Sequence, residues 1–211
     1  MVKKDKTTEE KIINAALDEF AELGYAGARV DSIAEKGEIN KAMIYYYFKS
    51  KEKLYERILT DITTWIYGQI KEAAVGGSEC EPIDQFYSII GRYVDFLRFI
   101  DRRYMRIMMR EIASGGEFFR KIAVPNLVMP VMTIIEPLFR QAVERGEIKD
   151  LNPYMTFLQI VGSIVFFNII RIPLEGSPVE SIIFKENYYE EFKSNMFRIL
   201  KSGIEVREGE K

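Results

Sequence analysis

The chain of 211 residues contains no histidine and a single cysteine, Cys80. Without histidine, it lacks the base of Ser-His-Asp and Cys-His catalytic arrangements and the imidazole ligands of the common zinc sites. One cysteine forms neither an internal disulfide nor a cysteine metal cluster, which is typical of a reducing cytoplasm. Because no phosphate-binding glycine loop stands out either, we expect no catalytic residues, no metal and no cofactor, and a protein that is not an enzyme.

A strong net charge and a signal segment are also absent. The 30 Lys and Arg residues nearly balance the 32 Asp and Glu residues, and no apolar segment follows the charged N-terminus. The most lipid-like run, residues 155–170, has 16 residues and includes Gln159, Ser163 and Asn168. It is shorter than the ~20 residues that span a bilayer. We therefore expect a helix inside the protein or at a subunit interface, in a cytoplasmic protein without membrane contact.

Apolar residues recur at helical spacing in many segments, and no segment alternates as a strand does, so we expect an all-α fold. A first helix over residues 8–23 would end at Gly24, and Ser50 would cap a long helix to about residue 74. Later helices are predicted over residues 82–100, 102–113, 154–172 and 186–203. Residues 117–144 contain three prolines and predict a bent or interrupted element. We divide the chain into an N-terminal three-helix head, residues 1–50, and a larger helical domain, residues 51–211.

Residues 32–51, SIAEKGEINKAMIYYYFKSK, predict two short helices joined by a tight turn. In the second helix, residues 40–48, the apolar side chains of Ile44, Tyr47 and Phe48 share the inner face. Such a helix-turn-helix inserts its second helix into the major groove of DNA. The charge around it is locally basic, because residues 36–57 hold six basic and three acidic side chains. Three more lysines, at positions 3, 4 and 6, lie in the N-terminal arm.

The order and spacing of these motifs resemble the TetR family of bacterial repressors. The matching segments are Gly24-Tyr25, Ile33-Ala34, residues 39–48 and the Lys51 to Leu54 segment. The resemblance covers about the first sixty residues, and it implies a DNA-binding head followed by a helical domain for ligand binding and dimerisation. The chain departs from the family at the turn, where Gly37-Glu38 replaces Ala-Gly. The order Gly37-Glu38 therefore leaves the placement of the turn open by one residue.

The resemblance assigns the DNA contacts to the second helix and its flanks. We expect Tyr45 and Lys51 to bind phosphates, while Lys41, Ala42 and Tyr46 meet base edges. Two positions where the family often has hydroxyls carry Arg29, expected to make a charged contact, and Met43, expected either to touch a thymine methyl or to pack. Asp31 should cap a helix or point away from DNA. The predicted set is Arg29, Asn40, Lys41, Ala42, Met43, Tyr45, Tyr46, Lys49 and Lys51.

The middle of the chain is rich in methionine and aromatic residues, which adapt to irregular apolar shapes. In the TetR family this region encloses a small-molecule pocket, although such residues at helical spacing also form ordinary core. The family reading predicts an apolar or amphipathic effector of unknown identity. The predicted pocket residues are Trp65, Phe96, Phe99, Tyr104, Met105, Met108, Phe118, Phe119 and Phe139.

A head of about fifty residues reads a palindromic operator in double-stranded DNA only in pairs, so we expect a homodimer. The two most apolar late helices are the candidates for its interface, and the alternative is that both are monomer core. The predicted interface residues are Phe157, Ile160, Ile164, Phe167, Phe192, Met196 and Ile199.

These features together predict a ligand-responsive transcriptional repressor. A ligand in the second domain would shift the helix over residues 50–74 and change the spacing of the two heads. The alternative is a cytoplasmic small-molecule sensor or adaptor of the same fold that has lost specific DNA binding, for which the unusual turn and Met43 are the only support. The sequence does not identify the operator, the effector or the regulated genes.

Overall fold

The computed structural model describes residues 6–77 and 80–206. Within these ranges the regular elements are helical, and the only β pairing is one antiparallel bridge between Ile148 and Glu205. The all-α prediction is confirmed. Lys3, Lys4 and the side chain of Lys6 lie outside the described residues.

Ten α-helices and one π-helical segment follow one another in the described chain. They are α1 Lys6–Gly27, α2 Val30–Lys36, α3 Lys41–Phe48, α4 Lys51–Gly76, α5 Pro82–Phe99, α6 Arg102–Ala113, the π-helical segment Phe119–Val128, α7 Met129–Glu144, α8 Pro153–Leu174, α9 Glu180–Ile183 and α10 Tyr188–Ile204.

Local capping determines where several helices begin. The side chain of Asn40 accepts a hydrogen bond from the backbone N–H of Ala42 at 2.8 Å, and Ser50 Oγ accepts one from the N–H of Lys53 at 3.1 Å. Asn152 likewise accepts from two N–H groups at the start of α8. Each such cap satisfies an N–H group without an intrahelical partner and stabilises its helix by about 1 kcal/mol.

Three elements differ from the sequence predictions. The predicted stop at Gly24 is a break (φ 70°, ψ 177°) within α1, which ends at Gly27. The predicted interruption after residue 117 is the π-helical segment, which contains Pro125. The helix predicted over residues 154–172 continues past Pro173 and ends at Leu174.

Two helical stretches are longer than the apolar run of 16 residues from which no membrane contact was predicted. α8 has 22 residues, and both α8 and the stretch Phe119–Glu144 are long and apolar enough to cross a bilayer by length and composition. A core helix meets the same test when it is mostly buried, but only 17% of the apolar stretch of α8 is buried within the single chain. In α8 the polar side chains of Thr156 and Asn168 are buried, and Asn168 Oδ1 accepts a hydrogen bond from Tyr189 at 2.6 Å, as in a protein interior.

The described residues form two compact units. The head unit comprises the chain up to Ile66 together with residues 100–128, and the body unit comprises residues 67–99 and the chain from Met129 onward. The predicted boundary at residue 50 falls within the head unit, because α6 and the π-helical segment join the core of the first helices. That functional boundary stays a prediction.

The core of the head unit draws on every one of its helices. Phe20, Ile33 and Ile44 of the first three helices are fully buried with Ile58 of α4 and Ile107 of α6. In the body unit, α5 is central, as its two apolar faces predict, and it packs against α7, α8 and α10. The core of the head unit holds the head helices together.

Candidate nucleic-acid interface

The inner face of α3 anchors the helix to the head unit. Ile44, Tyr47 and Phe48 are buried in the core, and Ile39 packs against it from the preceding turn. Burying side chains of this size stabilises by about 1.5–3 kcal/mol each. The orientation predicted from the helical spacing is the one that the structure has.

The outer face of α3 is open to solvent. Asn40, Lys41, Ala42 and Lys49 are exposed, and Tyr45 is 43% exposed. A small residue flanked by cationic and phenolic side chains suits contact with base edges and phosphates. These are the predicted DNA-binding residues that the structure gathers on one surface.

Two other predicted contacts turn partly inward. Met43 and Tyr46 are half-buried and pack against the head core. The ring of Tyr46 meets that of Tyr47 edge to face, with centroids 5.4 Å apart. Of the two roles expected for Met43, packing is therefore the one observed.

The turn before α3 is a helix C-cap of the Schellman type. The N–H of Ile39 donates to the carbonyl of Ala34 at 3.0 Å, and the N–H of Glu38 donates to that of Glu35 at 3.1 Å. Glu38 has φ 51°, the left-handed conformation that glycine usually supplies in this motif. Glu38 occupies the left-handed position of this cap, while Gly37 is right-handed.

Gly37 lies where a side chain would be crowded. A Cβ atom at this position would lie 3.2 Å from Ile39 Cγ1 and 3.3 Å from Ala15 Cβ, closer than ordinary contacts. The glycine that sequence comparison treats as a displaced turn residue therefore allows close approach of the turn to α1.

Asp31 neither caps a helix nor points away from the interface. Its carboxylate lies 2.6 Å from Lys41 Nζ and joins the first turn of α2 to the start of α3. The hydrogen bond with Asp31 raises the pKa of Lys41, although partial desolvation opposes it. This pairing partly neutralises a side chain predicted to contact bases.

Lys51 is tied into the head unit. Its Nζ donates to the backbone carbonyls of Tyr25 at 2.8 Å and Ala28 at 3.0 Å, and it lies 4.5 Å from the centroid of the Tyr25 ring. Two of its three N–H groups are therefore used at the end of α1. The predicted phosphate contact stays untested, but these bonds favour a structural role, for which no signal exists in the local sequence.

Arg29 precedes α2 and Lys49 follows α3. The backbone N–H of Arg29 donates to the buried carboxylate of Glu19 at 3.2 Å, while its side chain is exposed. Burial raises the pKa of Glu19, but bonds from Lys36 and from this N–H outweigh it, so the net pKa is lowered. Lys49 ends α3 in a left-handed conformation, with φ 70°. Lys49 extends the exposed surface of α3 at its end, and the contact of Arg29 with DNA stays a prediction.

The predicted ligand-pocket residues are divided between the two units. In the head unit, Met105 and Phe118 are buried, and Tyr104 and Met108 pack against the core; Phe119 is half-buried and Trp65 is largely exposed. In the body unit, Phe96 and Phe139 are buried, whereas Phe99 is 78% exposed. Four of the nine are thus buried, three are half-buried and two are exposed, and their contact with a ligand stays a prediction.

The predicted dimer face of α8 needs correction. Ile160 and Ile164 are buried within the single chain, since they face the body core, and are not available to a partner. Phe167 and Phe192 stack on each other with centroids 3.8 Å apart, and Phe157 and Met196 are half-buried. Ile199 is exposed. The exposed apolar residues of α8 that sequence reasoning missed are Met155, Leu158 and Phe166, which recur at helical spacing on the opposite side.

Comparison with known proteins agrees with this arrangement. Residues 12–58 match the model of the family described as bacterial regulatory proteins, tetR family. The chain is 24% identical over 147 residues to YhgD of Bacillus subtilis, an uncharacterized HTH-type transcriptional regulator, covering 69% of this chain and 74% of YhgD. It is 29% identical over 111 residues to IcaR of Staphylococcus epidermidis, a negative transcriptional regulator of the biofilm operon icaADBC, covering 51% of this chain and 55% of IcaR.

Two solved structures share the whole fold. A Clostridium perfringens protein, described as a candidate fatty acid metabolism regulator, aligns with a TM-score of 0.72 at 20% identity, over 93% of this chain and all of that one. Bacillus subtilis FadR in complex with stearoyl-CoA aligns with a TM-score of 0.67 at 18% identity, over 92% and 98%. At such identities the likeness concerns the fold.

Proposed function

We propose, from the premise that this chain is a transcriptional regulator belonging to the TetR family, that it is a repressor released from a palindromic operator by a small apolar or amphipathic ligand. One observation carries the proposal: α3 is anchored by three buried side chains and leaves its opposite face free. A helix held in this way can enter the major groove as a rigid element. The N-terminus of α3, which Asn40 caps, would enter the groove first.

The outer face of α3 supports specific roles. Ala42 and Lys41 would meet base edges, since Ala42 lets the helix approach closely. Tyr45, Lys49 and Arg29 would bind phosphates and set the register. Lys51 would act through the tie to α1, and Asp31 would restrain Lys41 until DNA competes for it.

A homodimer would present two heads to the two half-sites. The exposed stripe of Met155, Leu158 and Phe166 on α8 supports an interface there, because large apolar side chains aligned on one face are unusual on a surface that stays in water. Phe166 is 62% exposed in the single chain and would be the central anchor. The action on DNA implies a cytoplasmic protein.

The effector we propose contains a fatty acyl chain. FadR is a structural neighbour solved with stearoyl-CoA, and the Clostridium perfringens neighbour is described in terms of fatty acid metabolism. The Met- and Phe-rich middle of this chain suits an apolar ligand. Long-chain acyl-CoA is accordingly the first effector to test.

The head core offers a route for the response. Ile107 of α6 and Ile122 of the π-helical segment belong to the same buried cluster as Ile44 of α3. A ligand that moves α6 or the π-helical segment would therefore disturb the seat of α3. Coupling of this kind is typically worth ~1–3 kcal/mol, or about 5- to 150-fold in affinity.

The experiment is fluorescence anisotropy with the DNA directly upstream of the gene, over a salt series and against excess random competitor. The proposal expects tight, salt-sensitive binding that survives the competitor and weakens on addition of acyl-CoA. If that DNA binds no better than competitor, selection from random sequence follows. A selection that recovers no preferred sequence would overturn the proposal in favour of a sensor without specific DNA binding.

A further inference from the structure

A cavity of about 470 Å³ opens in the head unit, away from the outer face of α3. Its walls are the end of α1 from Leu23 to Ala26, Tyr55 of α4, and the end of α6 with the loop that leads to Phe118. This volume lies within the ~300–1,000 Å³ typical of small-molecule sites. None of the predicted DNA-binding residues lines it, although Lys51 Nζ lies 4.5 Å from the centroid of the Tyr25 ring in its wall.

One wall is a fixed aromatic cluster. The ring centroids of Tyr25 and Phe118 are 4.7 Å apart, those of Tyr55 and Phe118 are 5.0 Å apart, and those of Tyr25 and Tyr55 are 5.1 Å apart. Tyr55 and Phe118 are buried, while Tyr25 is half-buried at the cavity. A flat ring of a ligand could pack on this rigid apolar surface. Little conformational entropy would be lost, because the wall is already ordered.

Glu111 holds this wall in place. Its carboxylate is buried and accepts hydrogen bonds from the backbone N–H of Phe118 at 2.7 Å and from the hydroxyl of Tyr55 at 3.2 Å. Burial and the neighbouring Glu111 charge raise the pKa of Tyr55, so its hydroxyl stays a donor. Since its oxygens are already satisfied, Glu111 positions the wall and leaves recognition to other groups.

Arg110 supplies the polar group that is free to recognise a ligand. Its Nε donates to the carbonyl of Ala21 at 3.1 Å, and its Cδ would lie 3.6 Å from a Cβ at Gly24, so the side chain is fixed against α1. Its two terminal nitrogens bond to none of the described residues. A guanidinium anchored through Nε presents these nitrogens as a fork that fits a carboxylate.

Glu117 also lines the cavity, as an exposed carboxylate without an ion pair among the described residues. Arg110 is fixed by a hydrogen bond to the rest of the head unit, whereas Glu117 is not. Glu117 would therefore repel an anionic ligand, and its side chain is not held in place to bind a cation.

We propose that this cavity is a small-molecule site, additional to the effector site, that takes a planar aromatic carboxylate with its ring on the Tyr25–Phe118 wall and its carboxylate on Arg110. Binding itself does not depend on the proposed repressor function. Because the walls are helices of the DNA-binding unit, the occupant would add a second input to operator affinity.

The test is isothermal titration calorimetry of the full chain, without DNA, using three probes that share one ring system: 2-naphthoate, 2-naphthamide and 2-naphthylmethylammonium. We expect the carboxylate to bind one per chain and more tightly than the other two. Arg110→Gln should weaken it about tenfold or more, because a charge-assisted pair is lost. Glu117→Gln should tighten it severalfold, and Arg106→Gln, an exposed arginine of the same helix that does not line the cavity, should leave it unchanged.

Because Arg110 also bonds to α1, circular dichroism must show that its variant is folded. Ala113→Leu keeps Arg110 and fills the cavity from its rim, and it should abolish naphthoate binding without unfolding the head. Preferential binding of the ammonium probe, with loss on Glu117→Gln, would overturn the proposal in favour of a cation site. Equal binding of naphthoate to wild type and Ala113→Leu, or no binding of any probe, would overturn the site itself. Operator binding is also measured without probe. It tests the repressor function alone, so that a failure of the proposed site is not mistaken for a failure of that function.

Discussion

Lys51 Nζ lies 2.8 Å from the carbonyl oxygen of Tyr25, twenty-six residues earlier in the chain. This bond, with a second to Ala28, satisfies carbonyl groups at the end of α1 from the first turn of α4. Two helices that frame α3 are thereby fixed to each other. The lysine that the family resemblance places on a phosphate is thus a structural tie in this chain.

Replacing Lys51 with alanine should lower the stability of the protein by about 1–2 kcal/mol, because two hydrogen bonds from a charged donor are lost. DNA binding should weaken because α3 is held less firmly in the head unit, while the salt dependence of the affinity stays the same. Chemical denaturation and anisotropy over a salt series measure the two effects, with Lys11→Ala on the exposed side of α1 as control. Unchanged stability with a salt slope smaller by about one unit would instead assign Lys51 to a phosphate.

Glu38 carries the strain of the turn. Glu38→Gly should stabilise the protein by about 0.5–1 kcal/mol, because relief of the ~1–2 kcal/mol left-handed penalty exceeds the added freedom of the unfolded chain. Glu38→Ala keeps the Cβ atom and should give no such gain, which separates backbone strain from charge. Thermal unfolding of the three proteins measures the difference. Equal gains from both variants would show that the charge, not the conformation, is unfavourable.

Glu56 should contribute stability that depends on pH. Hydrogen bonds from Lys121 and Lys53 lower its pKa from 4.5 to about 2, despite partial desolvation. Because the pKa of Glu56 is lower in the folded protein than in the unfolded chain, the ionised carboxylate stabilises the fold. This stability is fully present above the pKa of the unfolded chain and is lost as the pH falls through the pKa of the folded protein.

The measurement for Glu56 is the difference in unfolding free energy between wild type and Glu56→Gln. It should be largest above about pH 5 and shrink as the pH falls from 4.5 towards 2. Glu144→Gln, at an exposed position of α7, is the control. A difference that stays constant from pH 6 to pH 2.5 would contradict the assigned pKa.

Asp31 restrains Lys41 at the DNA surface. Asp31→Asn should tighten DNA binding roughly two- to tenfold at low salt and steepen the salt dependence by about one unit, because it removes a negative charge and releases a cation for phosphate. Anisotropy on specific and random DNA measures both. A weaker complex would mean that Asp31 holds Lys41 in the geometry that base contact requires.

How far the sequence predicts this structure depends on the range of the interactions involved. Asn40, Ser50 and Asn152 cap helices whose starts were predicted within a residue or two, because a cap is a contact between neighbours in the chain. Helical spacing likewise gave the inner face of α3. The all-α class follows from these local signals.

The contacts that the sequence did not predict join distant parts of the chain. Lys51 bonds to α1, and the face of α8 that carries Ile160 and Ile164 is chosen by what packs against it. α8 is apolar on nearly all sides, so its sequence does not distinguish a core face from an exposed one. The cavity beside Arg110 is also formed by three separate segments, and no motif marks it.

The central claim is that the outer face of α3 binds a specific DNA sequence, and Ala42→Glu tests it most directly. Ala42 is exposed, so a carboxylate there should leave the thermal unfolding midpoint nearly unchanged while it repels DNA from the centre of the surface. In anisotropy with the selected operator, we predict a loss of specific affinity of at least about a hundredfold, with Ser88→Glu on α5 unaffected. Specific binding by the folded Ala42→Glu variant at wild-type affinity would contradict the account.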